Sequence, residues 1–246
     1  MRRTAAAIAA AAAWALGGGA AAAQAEACVE DFGARACLEG PVDRYGHAVL
    51  GATPEWSVLS LTVAGARLIF ELPEAQVYED VAPRIVDLGG DGTPEVVVVE
   101  ASRAGGARLA VYGLDRGALR VVAATPEIGT RNRWLAPAAW TDLNGDGVLD
   151  LAYVDRPHLA GVLRAWTFAP GGLTEIAAER GFSNHRVGDA FILSGVRDCG
   201  EGPEVVLPDF GWSELRAARL TEAGWAWRRI EGAATREGLA QALAAC

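Results

Sequence analysis

The densest chemistry in the sequence lies in DLNGDGVLDLAYVD, Asp142 to Asp155. Oxygen-bearing side chains stand at Asp142, Asn144, Asp146 and Asp150, with Gly145 and Gly147 between them. Side chains at alternate positions of a tight loop converge only if the backbone turns sharply. Glycine, which tolerates positive φ, permits that turn. Carboxylates bunched this closely repel one another unless a cation sits among them. Calcium takes six to eight oxygen ligands at about 2.3–2.6 Å, so it suits such a loop. Magnesium demands a stricter octahedron and keeps its waters, which makes it the poorer candidate. The competing reading is a metal-free hairpin turn closed by its own Asn and Asp side chains.

The pattern recurs. DLGGDGTPEVVVVE, Asp87 to Glu100, offers Asp87, Asp91, Thr93 and Glu95 at the matching positions, with Gly89 where a ligand would stand. DCGEGPEVVLPD, Asp198 to Asp209, is shorter and loses the ligand series. An EF-hand uses the same spacing but needs a bidentate Glu at position 12 and a helix after the loop. Here position 12 is Tyr153 and the apolar run that follows reads as a strand, so the EF-hand reading fails.

The elements that must hold these bends are short strands. WSVLSLTV at 56–63, RLIFEL at 67–72, EVVVVEAS at 95–102, RLAVYGL at 108–114 and LRVVAAT at 119–125 are rich in β-branched and aromatic residues and broken by Gly or Pro. HAVLGA, His47 to Ala52, is assigned as a further strand, and the mature N-terminus as one poor strand near Ala34 to Leu38. LAPAAWTDL, LAYVD, VLRAWTF and LTEIAAE make up the next set, and GDAFILSGV, EVVLPD, SELRAARL and WAWRRI the last. The bends open at 87, 142 and 198, spaced 55 and 56 residues apart. A period of about fifty residues with four short strands per period marks propeller blades. The expected fold is therefore all-β, a small β-propeller of about four blades. Its units fall at about 28–78, 79–133, 134–187 and 188–232. A helical tail follows at 233–246, with Leu239 and Leu243 on one face.

At these residues the sequence resembles the FG-GAP or VCBS repeat family, whose motif runs Asp-x-Asn-Gly-Asp-Gly-x-x-Asp before an apolar strand. The propeller of integrin α-subunits has the same kind of repeat. DLNGDGVLDLAYV fits the motif at every ligand position, DLGGDGTPEVVVV less well, and the first unit poorly. The resemblance implies β-propeller blades, with the motif in the hairpin between a blade's first two strands. It also implies calcium held by Asp142, Asn144, Asp146 and Asp150 and by the carbonyl of Val148.

Residues 1–25 read as a secretory leader: Arg2 and Arg3, an apolar run from Ala5 to Leu16, and Ala23-Gln24-Ala25 as the cleavage signal. That places the mature domain, 26–246, in the periplasm or outside the cell. No other stretch is long and apolar enough to span a bilayer. Four cysteines remain, Cys28, Cys37, Cys199 and Cys246, and an even number in an exported chain implies two disulfides. Of the three pairings, Cys28–Cys37 with Cys199–Cys246 is favoured and Cys28–Cys246 is the alternative. The formal net charge of −9, with no basic stripe, argues against a nucleic-acid partner.

Arg131-Asn132-Arg133-Trp134 and Asn184-His185-Arg186 form a second echo before two inner strands. Arg133, His185 and Arg186 are thereby candidate ligand contacts, against the plainer reading of loop caps paired to nearby acids. His47, His158 and His185 show no metal-ligand spacing. No nucleophile elbow, triad order or phosphate loop is present. The eight Trp read mainly as packing, although Trp surfaces also bind sugars. The expected function is a calcium-stabilised, non-catalytic binding or scaffold module for a protein or glycan. A periplasmic hydrolase or lyase using the channel mouth, or a lectin, is the alternative.

Overall fold

The computed structural model describes residues 26–169 and 171–246; the leader expected at 1–25 lies outside them. Four antiparallel meanders follow one another. The first comprises β1 (Glu26–Asp31), β2 (Ala34–Val42), β3 (Glu55–Val63) and β4 (Ala66–Glu71). A short β5 (Gln76–Tyr78) pairs with β3 and with the second meander. That meander is β6 (Arg84–Val86), β7 (Glu95–Ser102), β8 (Gly106–Asp115) and β9 (Ala118–Ala124). The third is β10 (Leu135–Thr141), β11 (Asp150–Asp155), β12 (Val162–Ala169) and β13 (Gly172–Arg180). The fourth is β14 (Gly195–Asp198), β15 (Pro203–Pro208), β16 (Leu215–Thr221) and β17 (Gly224–Ile230), followed by α1 (Arg236–Ala244).

Each meander packs on the next through both faces of its central strands. In β7, Val96 and Val98 join the cluster with Leu38, Leu59 and Leu61, while Val97 and Val99 face Leu135, Leu151 and Tyr153. A strand buried on both faces must read as a continuous apolar run, and EVVVV does. In β11, Leu151 and Tyr153 point to the second meander, and Ala152 and Val154 to Val205 and Leu207 of the fourth. The far side of the fourth meander is closed by α1, whose Leu239 and Ala242 pack on Val206, Leu215 and Ala217. Among the described residues no buried cluster joins the fourth meander to the first. Polar contacts instead cover the first meander's outer side: Arg35 bonds Glu26 and Glu30, and Glu39 accepts from Ser60 and Arg67. A polar outer face is what an end repeat needs.

The first strands of all four meanders nevertheless face one cavity of about 690 Å³. Val29, the 81–84 segment, Pro137 to Thr141 and the 190–196 segment line it. Pro83 and Pro137 lie on these inner edges, where a missing N–H costs no ladder bond. Both disulfides form as favoured, Cys28–Cys37 across β1 and β2 and Cys199–Cys246 from the third bend to the last residue. They fit an oxidising compartment. No described helix is long and apolar enough to cross a membrane.

Three local expectations are corrected. The N-terminal region forms two strands, β1 and β2, because a turn at Phe32 and Gly33 doubles it into a hairpin. Only the end of GDAFILSGV is a strand. HAVLGA is no strand at all: Gly46, Ala48 and Gly51 have positive φ and coil it into turns, burying Val49 and Leu50. The segment arches from the first meander to the fourth, where the Gly188 amide donates to the Val49 carbonyl at 2.8 Å. Gly51 is required there, since a Cβ would lie 2.3 Å from the Gly188 carbonyl oxygen.

Candidate functional site

The Asp142 bend joins β10 to β11 and is closed by its own amides. Asp142 accepts from Gly145 at 2.7 Å, Asp146 at 3.2 Å and Gly147 at 2.9 Å. Asp146 accepts from the Val148 amide at 2.7 Å, and Asn144 from that of Asp146 at 2.9 Å. Asp150, the first residue of β11, is fully buried; one oxygen accepts from Leu143 at 3.0 Å and the other has no partner. Burial, and the charges of Asp146 and Asp142, push its carboxyl above the usual carboxylate range. The three carboxylates influence one another's charge, but their oxygens do not all lie within 4.8 Å of one another.

The Asp87 bend between β6 and β7 repeats this plan. Asp87 accepts from Asp91 and Gly92, Asp91 from Thr93, and Glu95 from Leu88. Burial, together with Asp91 and Asp87, raises the Glu95 carboxyl as well. Gly89 brings no oxygen-bearing side chain, so the set is one short. The third bend keeps only Asp198, which accepts from Gly200 and Gly202, and a disulfide at Cys199 ties the bend down. Among the described residues, the only three His, Cys, Asp or Glu ligand atoms within 4.8 Å of one another belong to Glu26, Cys28 and Cys37. Both sulfurs there are spent on the disulfide.

Between the Asp87 and Asp142 bends lies a groove of about 730 Å³, walled by Asp87, Gly89, Trp140, Asp142, Val148 and Phe168. Trp140 is 43% exposed and, with Thr141, lines both this groove and the central cavity. The Arg84 guanidinium lies 5.4 Å from its ring centroid and is held by Asp80 at 2.6 Å and 3.0 Å. Trp56, Trp134, Trp166 and Trp225 are buried packing residues, which leaves Trp140 as the groove's indole.

β10 has Asp142 at one end and Trp134 at the other. Around Trp134 the fold gathers all three histidines, which no sequence spacing signals. The Trp134 indole donates to the Glu79 carbonyl at 2.8 Å and lies edge-on to His185 and parallel to His158, at centroid distances of 4.8 and 6.4 Å. His185 Nε2 donates to the Asp189 carbonyl at 2.8 Å, and in the neutral tautomer this leaves, its Nδ1 accepts from His158 Nε2 at 2.9 Å. Burial, and for His158 the neighbouring His185, lowers their basicity, His158 to about 4. His47 Nδ1 contacts Glu79 at 2.8 Å; burial raises the Glu79 carboxyl, and its second oxygen is unpartnered. Glu55 accepts from the amides of Tyr45, Gly46 and His47, fixing the arch over the cluster.

Of the candidate ligand contacts, Arg133 bonds the Asn132 carbonyl, Arg186 stacks 4.1 Å over Trp212, and His185 is buried in the cluster. None lines the central cavity or the groove. The echo before the inner strands is a bracing device: Arg131 bonds the Tyr45 carbonyl, the Asn132 amide donates to the Tyr45 hydroxyl, and Asn184 donates to the carbonyls of Ala136 and Pro137.

Four meanders with recurring aspartate bends define an all-β repeat protein. Residues 87–153 match the FG-GAP-like repeat family. No curated protein matches the chain. Among solved structures it is similar to an exo-β-1,3-galactanase from Phanerochaete chrysosporium, solved with β-1,3-galactotriose, at 13% identity and a TM-score of 0.45. That likeness covers 92% of this chain and 54% of the other, so the chain spans about half the galactanase's length.

Proposed function

We propose that the four meanders are blades of a small, incompletely closed propeller that works in the periplasm or outside the cell as a non-catalytic binding module. Its recognition surface is the groove between the Asp87 and Asp142 hairpins. The observation that carries this reading is the groove itself, with the exposed Trp140 indole between two acidic bends. His158, His185 and Glu79, whose basicity burial displaces, line neither the groove nor the central cavity. A hydrolase or lyase built on Arg133, His185 and Arg186 has correspondingly less support.

Asp142, Asn144, Asp146 and Asp150, with the Val148 carbonyl, would hold a calcium ion that stiffens one groove wall. Asp87, Asp91, Thr93 and Glu95 form the poorer second set. The exposed indole beside carboxylates also favours a glycan as partner, since pyranose faces stack on Trp while hydroxyls bond to acids. The test is a pull-down from periplasmic extract, with a glycan array alongside, in calcium and in chelator. A partner retained in calcium, released by chelator and lost in Trp140→Ala is expected. Retention indifferent to both changes would refute the reading.

A further inference from the structure

The central cavity adjoins the groove across Trp140 and Thr141, but the rest of its wall has a different chemistry. Its lining is mostly apolar, with Val29, Val81, Phe191, Ile192 and Val196 beside several alanines; Thr141 and Ser194 bring hydroxyls, and among the described residues Arg84 is the one charged side chain. Arg84 is already held by Asp80 through two short bonds. A polar ligand body would lose its hydration there and find few partners in return. An apolar body of drug size fits the volume of about 690 Å³. A cation stands against one wall residue: Arg236, an exposed residue at the start of α1, holds its guanidinium 4.9 Å from the ring centroid of Phe191. Among the described residues it has no carboxylate partner, unlike the wall's own Arg84, which Asp80 holds.

We propose that the central cavity binds a lipophilic acid, a hydrocarbon or fused-ring body inserted between β1, β10 and β14 with its anionic head on Arg236. The seam between the first and fourth meanders, where no buried cluster closes the array, is the way in. Val196, 38% exposed on β14, sits on that route.

The experiment is a fluorescence titration of the mature chain with 8-anilinonaphthalene-1-sulfonate in excess chelator. Failure of the calcium-dependent groove therefore leaves it unaffected. Saturable binding of one dye is expected, displaced by dodecanoate about tenfold more effectively than by dodecanol. Arg236→Glu should erase that tenfold preference, and Val196→Glu should abolish dye binding, each with the parent's melting temperature. Because Arg236 is exposed, its variant keeps the test decisive even if Val196→Glu does not fold. No saturable dye binding, equal displacement by the alcohol, or an unchanged preference in Arg236→Glu would overturn the proposal.

Discussion

At the hairpin end of β10, Asp142, Asp146 and Asp150 fall within nine positions of one another, and amides of the same loop hold their oxygens. At the other end, His47, Glu79, Trp134, His158 and His185 come from five separate segments and meet only when the meanders stack. The first arrangement is local and, apart from the buried Asp150, lies at the surface, so Asp142 and Asp146 can change without moving a neighbouring unit. The second is buried and shared. It ties the first, third and fourth meanders together through the arch at His47 to Ala52, in a molecule where among the described residues no fully buried hydrophobic cluster is shared by the first and fourth meanders. The contrast teaches that in this chain the recurring acids shape a surface, while the scattered polar residues hold the array in register.

The largest effect that could break this contrast comes from Trp134→Ala. Removing a buried indole that touches two histidines and donates to Glu79 should cost about 3–5 kcal/mol. Denaturant melts would measure it, and a loss below about 1 kcal/mol would show that the cluster is not the brace described here.

Next is calcium at the hairpin end. Ion at a hundred times its dissociation constant should raise stability by about 2.7 kcal/mol over the chelated protein. Asp142→Ala should remove that increment. Identical melts of the parent with calcium and with chelator would remove the ion from the account.

Acid sharpens the contrast further. In the folded protein His158 and His185 resist protonation, so the unfolded chain binds more protons between the ordinary histidine pKa of 6.5 and the His158 value of about 4. Their contribution is complete above that ordinary value and is lost as pH falls through the window, by about 1–2 kcal/mol after allowance for partial exposure. Glu79 works in the opposite sense, since its raised carboxyl takes up a proton more readily when folded. His185→Gln isolates the histidine part: its stability should vary less with pH than the parent's between pH 7 and 4. Parallel curves would contradict the neutral-pair geometry.

The smallest effect is expected from Asp87→Ala, a half-buried loop acid in the poorer ligand set that accepts from the Asp91 and Gly92 amides. Stability should fall by about 1 kcal/mol or less, and the calcium increment should persist. A lost increment would make Asp87, rather than Asp142, the site that matters.

Much of the architecture was legible in the residues. The β7 run of four valines shows a strand buried on both faces, the 55- and 56-residue spacing counts the units, and the leucines of the tail mark α1. The acidic bends were readable for the same reason, since their ligands and their turn residues lie in one short segment. HAVLGA misled because apolar character reports burial and not conformation; the positive φ at Gly46, Ala48 and Gly51 is what makes it an arch. Arg133 and Arg186 misled because an echo in sequence says where a residue sits in a repeat, not what its side chain meets.

By itself the sequence determined most of the strands, the repeat and the chemistry of each hairpin, all carried by neighbours along the chain, while the choice among three disulfide pairings was left to the fold. Tertiary structure alone decided that three histidines and Glu79 share one buried cluster, that the array stops at a helix on one side and a polar sheet face on the other, and that the inner strands enclose an apolar cavity. Those outcomes depend on how sheets stack, and stacking joins residues whose separation along the chain holds no trace of their contact.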